Sequence, residues 1–371
     1  MPWSDYHRRS EAIASQAFIA KAAGDHQQAS HLYEEAAKAE QSALFEVDSG
    51  KHRTFGITAV SAVSLWYKSG KFDEAERLAY YALNDSRLPS FALKELRLLV
   101  QAIWTEGSKR EANLTFLPGQ ITVSIKGGQV VTGGAPLDLI VEKTQTIQAI
   151  FYRSMEYEQK LPFRLKGGPP KNIIDSCRPW LFQAPPGSYQ FSIAIQNDPQ
   201  ADMFVSAPNP AALATRFLAI IKASAEDGQL ENIIGDDDYR STFLKLTRNL
   251  APTGKSFSSI EFRSEDALLQ PVVLTPESRS AINRAISPPR SSKAASPNKG
   301  QELTEHGILR ALHLNQDWLE VVRDDGQSVH ISGLQETVDD VIGPMVNKRV
   351  VVRATKGKRS QLKFVDIELD E

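Results

Sequence analysis

The stretch that most constrains the fold is WYKSGKFDEAERLAYYAL, residues 66–83. It predicts two helices folded back on each other, because Gly70 interrupts the helical pattern and glycine adopts the backbone conformations that a tight turn requires. After this turn, Ala75, Ala79 and Ala82 recur at helical spacing. Side chains this small allow a neighbouring helix to approach closely. The stretch therefore indicates a helical hairpin, which serves as a scaffold or a contact surface.

A similar hairpin precedes it over residues 10–47. Its first helix is expected to run to about residue 23, and Gly24-Asp25 makes the turn. In the second helix Leu32 and Tyr33 belong to one apolar stripe with the 3.6-residue period of a packed face. A further helix is predicted over 89–104, PSFALKELRLLVQAIW, packed on the second hairpin.

These hairpins resemble the tetratricopeptide repeat. The first copy follows that family's spacing of small, turn, small, aromatic and small residues at Ala17, Gly24, Ala29, Tyr33 and Ala36. The second copy matches at Gly70, Ala75 and Ala82, but has Ala79 where the family has a large aromatic residue. Gly24 and Gly70 lie 46 residues apart, whereas the family repeat is about 34 residues long, so the repeat over 10–106 is irregular.

The resemblance implies a curved helical array that holds a peptide or a partner helix. Arg53, Trp66 and Lys68 are the candidate partner-binding residues of this array. Self-association through the helical repeats, or packing of the array against the following domain, are alternatives that the sequence leaves open.

The hydrophobic pattern changes after a polar break at 107–112. Short β-rich runs follow, separated by Gly-Gly, Pro-Pro and Pro-Gly turns: ITVSI, VVTG, LDLIVE, TIQAIFYRS, LPFRL, WLFQA and YQFSIAI. Short strands at a spacing of about 8–12 residues are typical of an antiparallel sandwich or barrel. We therefore predict a sandwich-like domain over 114–205.

Residues 208–286 mix helices with strands. The pattern predicts helices over 208–225, 239–250 and 276–286, and strands over 256–263 and 270–274. Because no clear linker precedes this segment, we expect it to extend the β-rich domain, which then spans 114–286.

The clear linker is SPPRSSKAASPNK, residues 287–299, which lacks large apolar side chains and is expected to be flexible. With this linker taken as 287–301, the last domain spans 302–371. Its strands are predicted as GILRALHLN, WLEVVRD, SVHIS, RVVVRAT and LKFVDIEL, with a helical or turn insert over 338–345. The Asp324-Asp325-Gly326 turn is a hairpin signal. These strands predict a small tethered barrel of the SH3-like or OB type.

The predicted fold class is therefore α+β and multidomain. A tetratricopeptide-like helical domain over 1–107 precedes the antiparallel β-rich domain with accessory helices, and the small barrel ends the chain. The turn and strand rhythm of 210–371 also resembles uncharacterised bacterial multidomain proteins.

Composition limits the function classes. A formal net charge of -2 provides no overall attraction to nucleic acid or to an anionic membrane, so either role would need a local patch. Cys177 is the only cysteine, so no internal disulfide forms, and a cytoplasmic setting is expected. No apolar run reaches the roughly 18–20 residues that a membrane helix needs, and no membrane contact or secretory signal is predicted.

Catalytic motifs are weak. Thr253-Gly254-Lys255-Ser256 suggests a phosphate loop, but the flanking pattern is helix then strand rather than strand then helix, so a turn is the better interpretation. Cys177 could act as a nucleophile if Arg178 lowered its pKa, yet no histidine motif accompanies it. A packed cysteine is therefore preferred.

Metal-binding patterns are weak as well. His26 and His31 lie five residues apart and His306 and His313 seven apart, whereas zinc-binding histidines on one helix face are usually four apart. The acidic run 236–238 lacks the pattern of a calcium loop and is better explained as a helix start. We predict no cofactor, no metal and no enzymatic activity.

The strongest local charge signal is basic. It comprises Lys348, Arg349, Arg353, Lys356, Lys358, Arg359 and Lys363 in a predicted hairpin of the last domain. Such a hairpin could follow a phosphate backbone, although its only nearby aromatic residue is Phe364, directly after Lys363.

The sequence thus favours a bacterial-type cytoplasmic adaptor that binds a protein partner, of unknown identity, through its helical face. Nucleic-acid binding through the basic hairpin 348–363 is the alternative.

Overall fold

The computed structural model describes the chain in these stretches: residues 2–111, 120–183, 189–196, 210–226, 228–264, 269–286, 302–334, 338–357 and 361–370. The contacts divide the chain into two compact units, Met1–Thr115 and Phe116–Glu371. We call them the helical unit and the mixed unit. The linker predicted over 287–301 lies outside the described residues.

Residues 2–111 of the helical unit form five α-helices, which confirms the helices predicted there. Their bounds are α1 (Trp3–Ala22), α2 (His26–Phe45), α3 (His52–Lys68), α4 (Phe72–Leu83) and α5 (Ser90–Glu111). The predicted polar break at 107–112 is wrong, because α5 continues to Glu111. One glycine costs a helix only about 1 kcal/mol, and the helix-favouring residues Glu106, Lys109 and Arg110 surround Gly107.

Glycines make the predicted turns between these helices. Gly24 and Gly70 have φ values of 84° and 75°, a region that side chains with a β-carbon rarely adopt. Asp25 then begins α2 by accepting a hydrogen bond from the Gln28 N–H at 2.9 Å.

Small side chains set the spacing of the helices in this unit. Ala36 and Ala59 are fully buried in its apolar core. At Gly56 the fit is closest, because a β-carbon there would lie 2.6 Å from Pro89 Cγ and 2.9 Å from Ala92 Cβ. A larger residue at this position would therefore force α3 to shift relative to Pro89 and Ala92.

The first sheet of the mixed unit has the strand order β2-β3-β1-β4-β5 within the described residues, and neighbouring strands are antiparallel. The bounds are β1 (Ile121–Lys126), β2 (Pro179–Gln183), β3 (Tyr189–Ile195), β4 (Ser259–Ser264) and β5 (Val272–Leu274). Central strand β1 aligns Val123 with Phe191 on one side and Phe262 on the other. Strands β4 and β5 come from 208–286, so this segment contributes two strands to the same sheet as β1, β2 and β3.

Helices cover this sheet. They are α6 (Leu137–Glu158), α7 (Lys171–Ser176), α8 (Pro210–Ala225), α9 (Asp237–Leu250) and α10 (Pro276–Ile286). Aromatic contacts join the layers, because Phe151 of α6 stacks on Phe217 of α8 at 4.4 Å between ring centroids, and Phe217 meets Phe262 of β4 edge-on at 5.7 Å.

The strands predicted over 137–142 and 146–154 are wrong, because both runs belong to α6. Their β-branched residues favour a strand, but Ile140, Ile147 and Ile150 are buried at helical spacing. Residues 161–165 form no strand, and 130–133 contributes only an isolated bridge from Val131 to Gly134. The sandwich predicted over 114–205 is instead one sheet covered by helices.

The second sheet, which we call the C-terminal sheet, contains β6 (Glu302–His313), β7 (Trp318–Val322), β8 (Ser328–Ser332), β9 (Arg349–Lys356) and β10 (Leu362–Leu369). The described strands pair in the order β10-β8-β7-β6-β9 as a closed barrel, in which β10 also pairs with β9. The β8–β10 pairing is parallel and the other pairings are antiparallel. A π-helical turn, Val338–Ile342, and a 3-10 turn, Gly343–Met345, form the predicted insert.

The C-terminal sheet packs on the rest of the mixed unit, which differs from the expected tether. One continuous apolar core includes residues of both sheets. Ion pairs join the two parts as well: Arg153 with Asp340, Glu142 with Lys348, Arg248 with Asp366, and Arg279 with Glu368. The composition of a linker does not reveal whether the domains on either side of it pack together, so the sequence could not predict this contact.

Within the described residues, no helix is both long enough and apolar enough to cross a membrane.

Candidate functional site

The predicted partner-binding residues all lie on α3, but they differ in accessibility. Arg53 and Lys68 are exposed. Trp66 is only 6% exposed, and its indole N–H donates to Gln41 Oε1 at 2.7 Å. Trp66 is therefore part of the helical core and not a contact residue. The prediction for Trp66 was wrong because a tryptophan near a turn has the same local sequence whether it faces in or out.

A different aromatic surface is exposed on the helical unit. It consists of Phe45 on α2, Tyr80 and Tyr81 on α4, and Trp104 on α5, and we call it the aromatic band. These four side chains are 46–55% exposed. Large apolar side chains grouped at a surface are typical of contact sites, whereas single ones are ordinary.

Two contacts hold the aromatic band together across the helices. Tyr81 meets the Phe45 ring edge-on, with centroids 5.4 Å apart. On the other flank of α4, Glu76 Oε1 accepts the Trp104 indole N–H at 2.7 Å. Tyr80 lies one turn after Glu76 on that same flank. The aromatic band thus runs from α2 across α4 to α5. Sequence reasoning missed it, although the exposed pair Tyr80-Tyr81 is visible in the stretch 66–83.

The predicted basic hairpin is largely neutralised by carboxylates of the same chain. Arg349 donates two hydrogen bonds to Asp324, at 2.6 and 2.7 Å, and Arg353 donates to buried Asp366 at 2.6 Å. Lys348 Nζ lies 2.8 Å from Glu142 Oε2.

The remaining cations of the hairpin differ. Lys356 and Lys363 are exposed and form no ion pair with any described residue, whereas Lys358 and Arg359 lie outside the described residues. The run is therefore much less cationic at the surface than its sequence suggests.

Two carboxyl groups reflect this pairing. Burial opposes ionisation of Glu142, but Lys143 and Lys348 outweigh it, so the pKa of Glu142 is lowered. At Asp366 burial is likewise outweighed, chiefly by the charge of Arg248, and the pKa of Asp366 is lowered. Both groups are therefore ionised members of ion pairs at neutral pH. The pair of Asp366 with Arg248 is buried, whereas the pair of Glu142 with Lys348 is partly exposed.

The outer face of the C-terminal sheet carries a second aromatic feature, which we call the ring stack. Trp318 of β7 lies between His313 at the end of β6 and His330 of β8, with ring centroids 5.5 and 4.6 Å from its own. His330 is exposed, and the other two rings are partly buried. Sequence reasoning missed this group, because its members come from three strands.

The candidate nucleophile does not have the environment of a reactive thiol. Cys177 is fully buried, and burial raises the pKa of its thiol to about 12. The sequence 253–256 lies between the end of α9 and the start of β4, as a turn with Gly254 at φ 95°, which confirms the turn interpretation.

The metal-ligand candidates have ordinary roles. Asp236 caps α9 by accepting the N–H groups of Asp238 and Tyr239 at 3.0 Å, which confirms the helix start. Among the described residues, no group of three or more His, Cys, Asp or Glu side chains is arranged to hold a metal ion.

Comparisons with protein-family models, with curated proteins and with solved structures found no match to this chain.

Proposed function

We propose that the protein is a non-enzymatic adaptor of a bacterial-type cytoplasm, which binds a protein partner through the aromatic band of its helical unit. The observation that carries this proposal is the concentration of half-exposed aromatic side chains, Phe45, Tyr80, Tyr81 and Trp104, on helices α2, α4 and α5, with Phe45 and Tyr81 in contact. Tyrosine and tryptophan are the residue types most enriched at energetically dominant positions of protein interfaces.

The surroundings of the aromatic band suit a transient interface. Tyr and Trp side chains bury a large area while losing few rotatable bonds, so binding costs them little entropy. The polar partner Glu76 holds Trp104 in place before binding, which lowers the ordering cost further. An exposed Glu74–Arg77 pair, 3.6 Å apart on α4, supplies a charged rim.

The wider helical unit supports the same proposal. Its alanine-lined packing and glycine turns are in keeping with tetratricopeptide-like hairpins, which bind proteins. Arg53 and Lys68 are exposed on α3, so they remain candidate contact residues of the helical unit.

The C-terminal sheet is proposed to be of the OB type rather than the SH3-like type. Counted along the chain, its strands close in the order one, two, three, five, four, with a parallel pair between the third and fifth. Its first strand is long and is interrupted by a register shift between Leu309 and Ala311, as a strand that bends around a five-stranded barrel requires.

Affinity capture with matched variants tests the adaptor proposal. The full chain, a Tyr81→Ala/Trp104→Ala variant and an Ile57→Ser control are used as baits in nuclease-treated lysate of the source organism. Ile57 is a half-exposed apolar residue on α3 outside the aromatic band. The proposal expects a protein retained by wild type and control but lost from the double variant. If every retained protein binds the double variant equally, the aromatic band is not the contact site.

A further inference from the structure

The cross-strand register places a cation, Lys363, on the same outer face as the ring stack. His313 aligns with Trp318, Trp318 with Ser332, and Ser332 with Lys363, so one row crosses β6, β7, β8 and β10. Neighbouring strands lie about 4.8 Å apart, so the row from His313 to Lys363 spans about 14 Å. Lys363 is exposed and forms no ion pair with a described residue.

A second cation lies at the opposite end of the row. Lys166 Nζ donates to the carbonyl oxygen of Leu314, which directly follows His313. A hydrogen bond to a carbonyl leaves the full charge of the ammonium in place. The row from His313 to Lys363 therefore has a positive charge at each end.

We infer that this face binds single-stranded nucleic acid, with bases stacking on the ring stack and phosphates near Lys166 and Lys363. Every base presents a π face, and stacking on aromatic side chains does not depend on sequence. The His330 ring, which forms one end of the ring stack, is exposed and therefore accessible to a base. A row of about 14 Å has room for a short run of nucleotides.

The arrangement favours a single strand over other occupants. Bases of a duplex already stack on one another and cannot offer a free face. A neutral oligosaccharide could stack on the same rings, but it carries no negative charge for the two lysines to neutralise. The Glu320 carboxylate, aligned with His330, accepts the Ser328 hydroxyl at 3.1 Å and works against a polyanion. Its removal should therefore strengthen the binding of nucleic acid and not that of a sugar.

Fluorescence anisotropy with labelled oligo(dT) and oligo(U) of about 12 nucleotides tests the inference on the full chain. His330→Ala is expected to weaken binding about five- to 100-fold, the usual effect of losing one stacking ring. Trp318→Ala should also weaken it, because the Trp318 ring packs against His330, with centroids 4.6 Å apart, and holds it in place. Lys363→Gln should reduce the slope of log Kd against log salt by about 0.7, the value for one phosphate contact on a single strand. Glu320→Gln should tighten binding.

His306→Ala is the matched control, because His306 is an exposed histidine of β6 that faces Asp370 and not the ring stack. It should bind as wild type does. His330 and Lys363 are exposed, so their variants keep the fold even if Trp318→Ala does not. The inference is overturned if the wild type does not bind at about 100 μM protein in moderate salt. Equal affinities of wild type, His330→Ala and Lys363→Gln would overturn it as well, as would displacement by neutral oligosaccharide as effective as by oligonucleotide.

Discussion

Replacing Asp366 by asparagine should loosen the attachment of the C-terminal sheet to α9. The Asp366 carboxylate is nearly inaccessible and accepts hydrogen bonds from Arg248, at 2.6 and 3.1 Å, and from Arg353 at 2.6 Å. Asparagine has the same shape but no charge, so the fully buried Arg248 guanidinium would lose its counterion. Removing one partner of a buried pair costs about 3–5 kcal/mol, and we expect a loss near the lower end, because the amide oxygen still accepts one hydrogen bond.

Hydrogen exchange during a urea series gives the appropriate readout, since it reports on peptides from 237–250 and 362–369 separately from the helical unit. Asp324→Asn is the matched control, because Asp324 also pairs with an arginine of β9 but is exposed. Asp324→Asn should lose little unfolding free energy, since surface ion pairs contribute little to stability. A loss in Asp366→Asn no larger than that in Asp324→Asn would refute the argument that burial makes the pair important.

The dependence of the unfolding free energy on pH in acid provides a second test of Asp366. The pKa of Asp366 is lowered in the folded protein, where the charge of Arg248 outweighs the opposing effect of burial. The stabilisation is therefore present above the unfolded pKa, about 4, and is lost as pH falls toward the lower folded value. Asp366→Asn should show a flatter fall in unfolding free energy below about pH 4 than wild type does. An identical fall in unfolding free energy below pH 4 in wild type and Asp366→Asn would contradict the lowered pKa of Asp366.

Three further predictions follow from individual sites. Gly56→Ala should lower the melting temperature measured by circular dichroism. Overpacking against Pro89 costs about 1–3 kcal/mol, whereas the better helix propensity of alanine contributes only about 1 kcal/mol. A raised melting temperature would contradict the close approach of Gly56 to Pro89. Burial lowers the pKa of Lys245 to about 8, so the unfolded state binds more protons than the folded state between about pH 8 and pH 10. Over that range the wild type should gain unfolding free energy relative to Lys245→Met in parallel urea titrations. Cys177 should react with a thiol reagent at neutral pH only after denaturation, and rapid labelling of the native protein would contradict its burial.

Local signals predicted the helices well and the strands unevenly. Gly24 and Gly70 mark turns because few other residues adopt their backbone angles, so the hairpins around them follow from the sequence. Strands were wrongly predicted within 137–158 because its β-branched residues favour a strand, although the spacing of Ile140, Ile147 and Ile150 favours a helix. The burial of one helix face decided the outcome.

The candidate sites depended on information that local sequence lacks. Alternation along β7 and β8 places Trp318 and His330 on outer faces, but only the pairing of these strands brings the two rings together. The neutralisation of the basic hairpin was easier to predict from the sequence, because antiparallel pairing of β9 with β10 sets Arg353 directly opposite Asp366. Whether a charge in a basic run is available to a ligand depends on such partners.

Site-specific photo-crosslinking in cells tests whether the aromatic band contacts a protein partner. A benzophenone amino acid is placed at Tyr81, at Trp104 and, as a control, at Phe18, an exposed aromatic of α1 outside the aromatic band. We expect positions 81 and 104 to crosslink to the same protein, distinct from this chain, and position 18 not to do so. Crosslinking that is no more frequent at 81 and 104 than at 18, or that captures only a second copy of this chain, would contradict an adaptor function for the aromatic band.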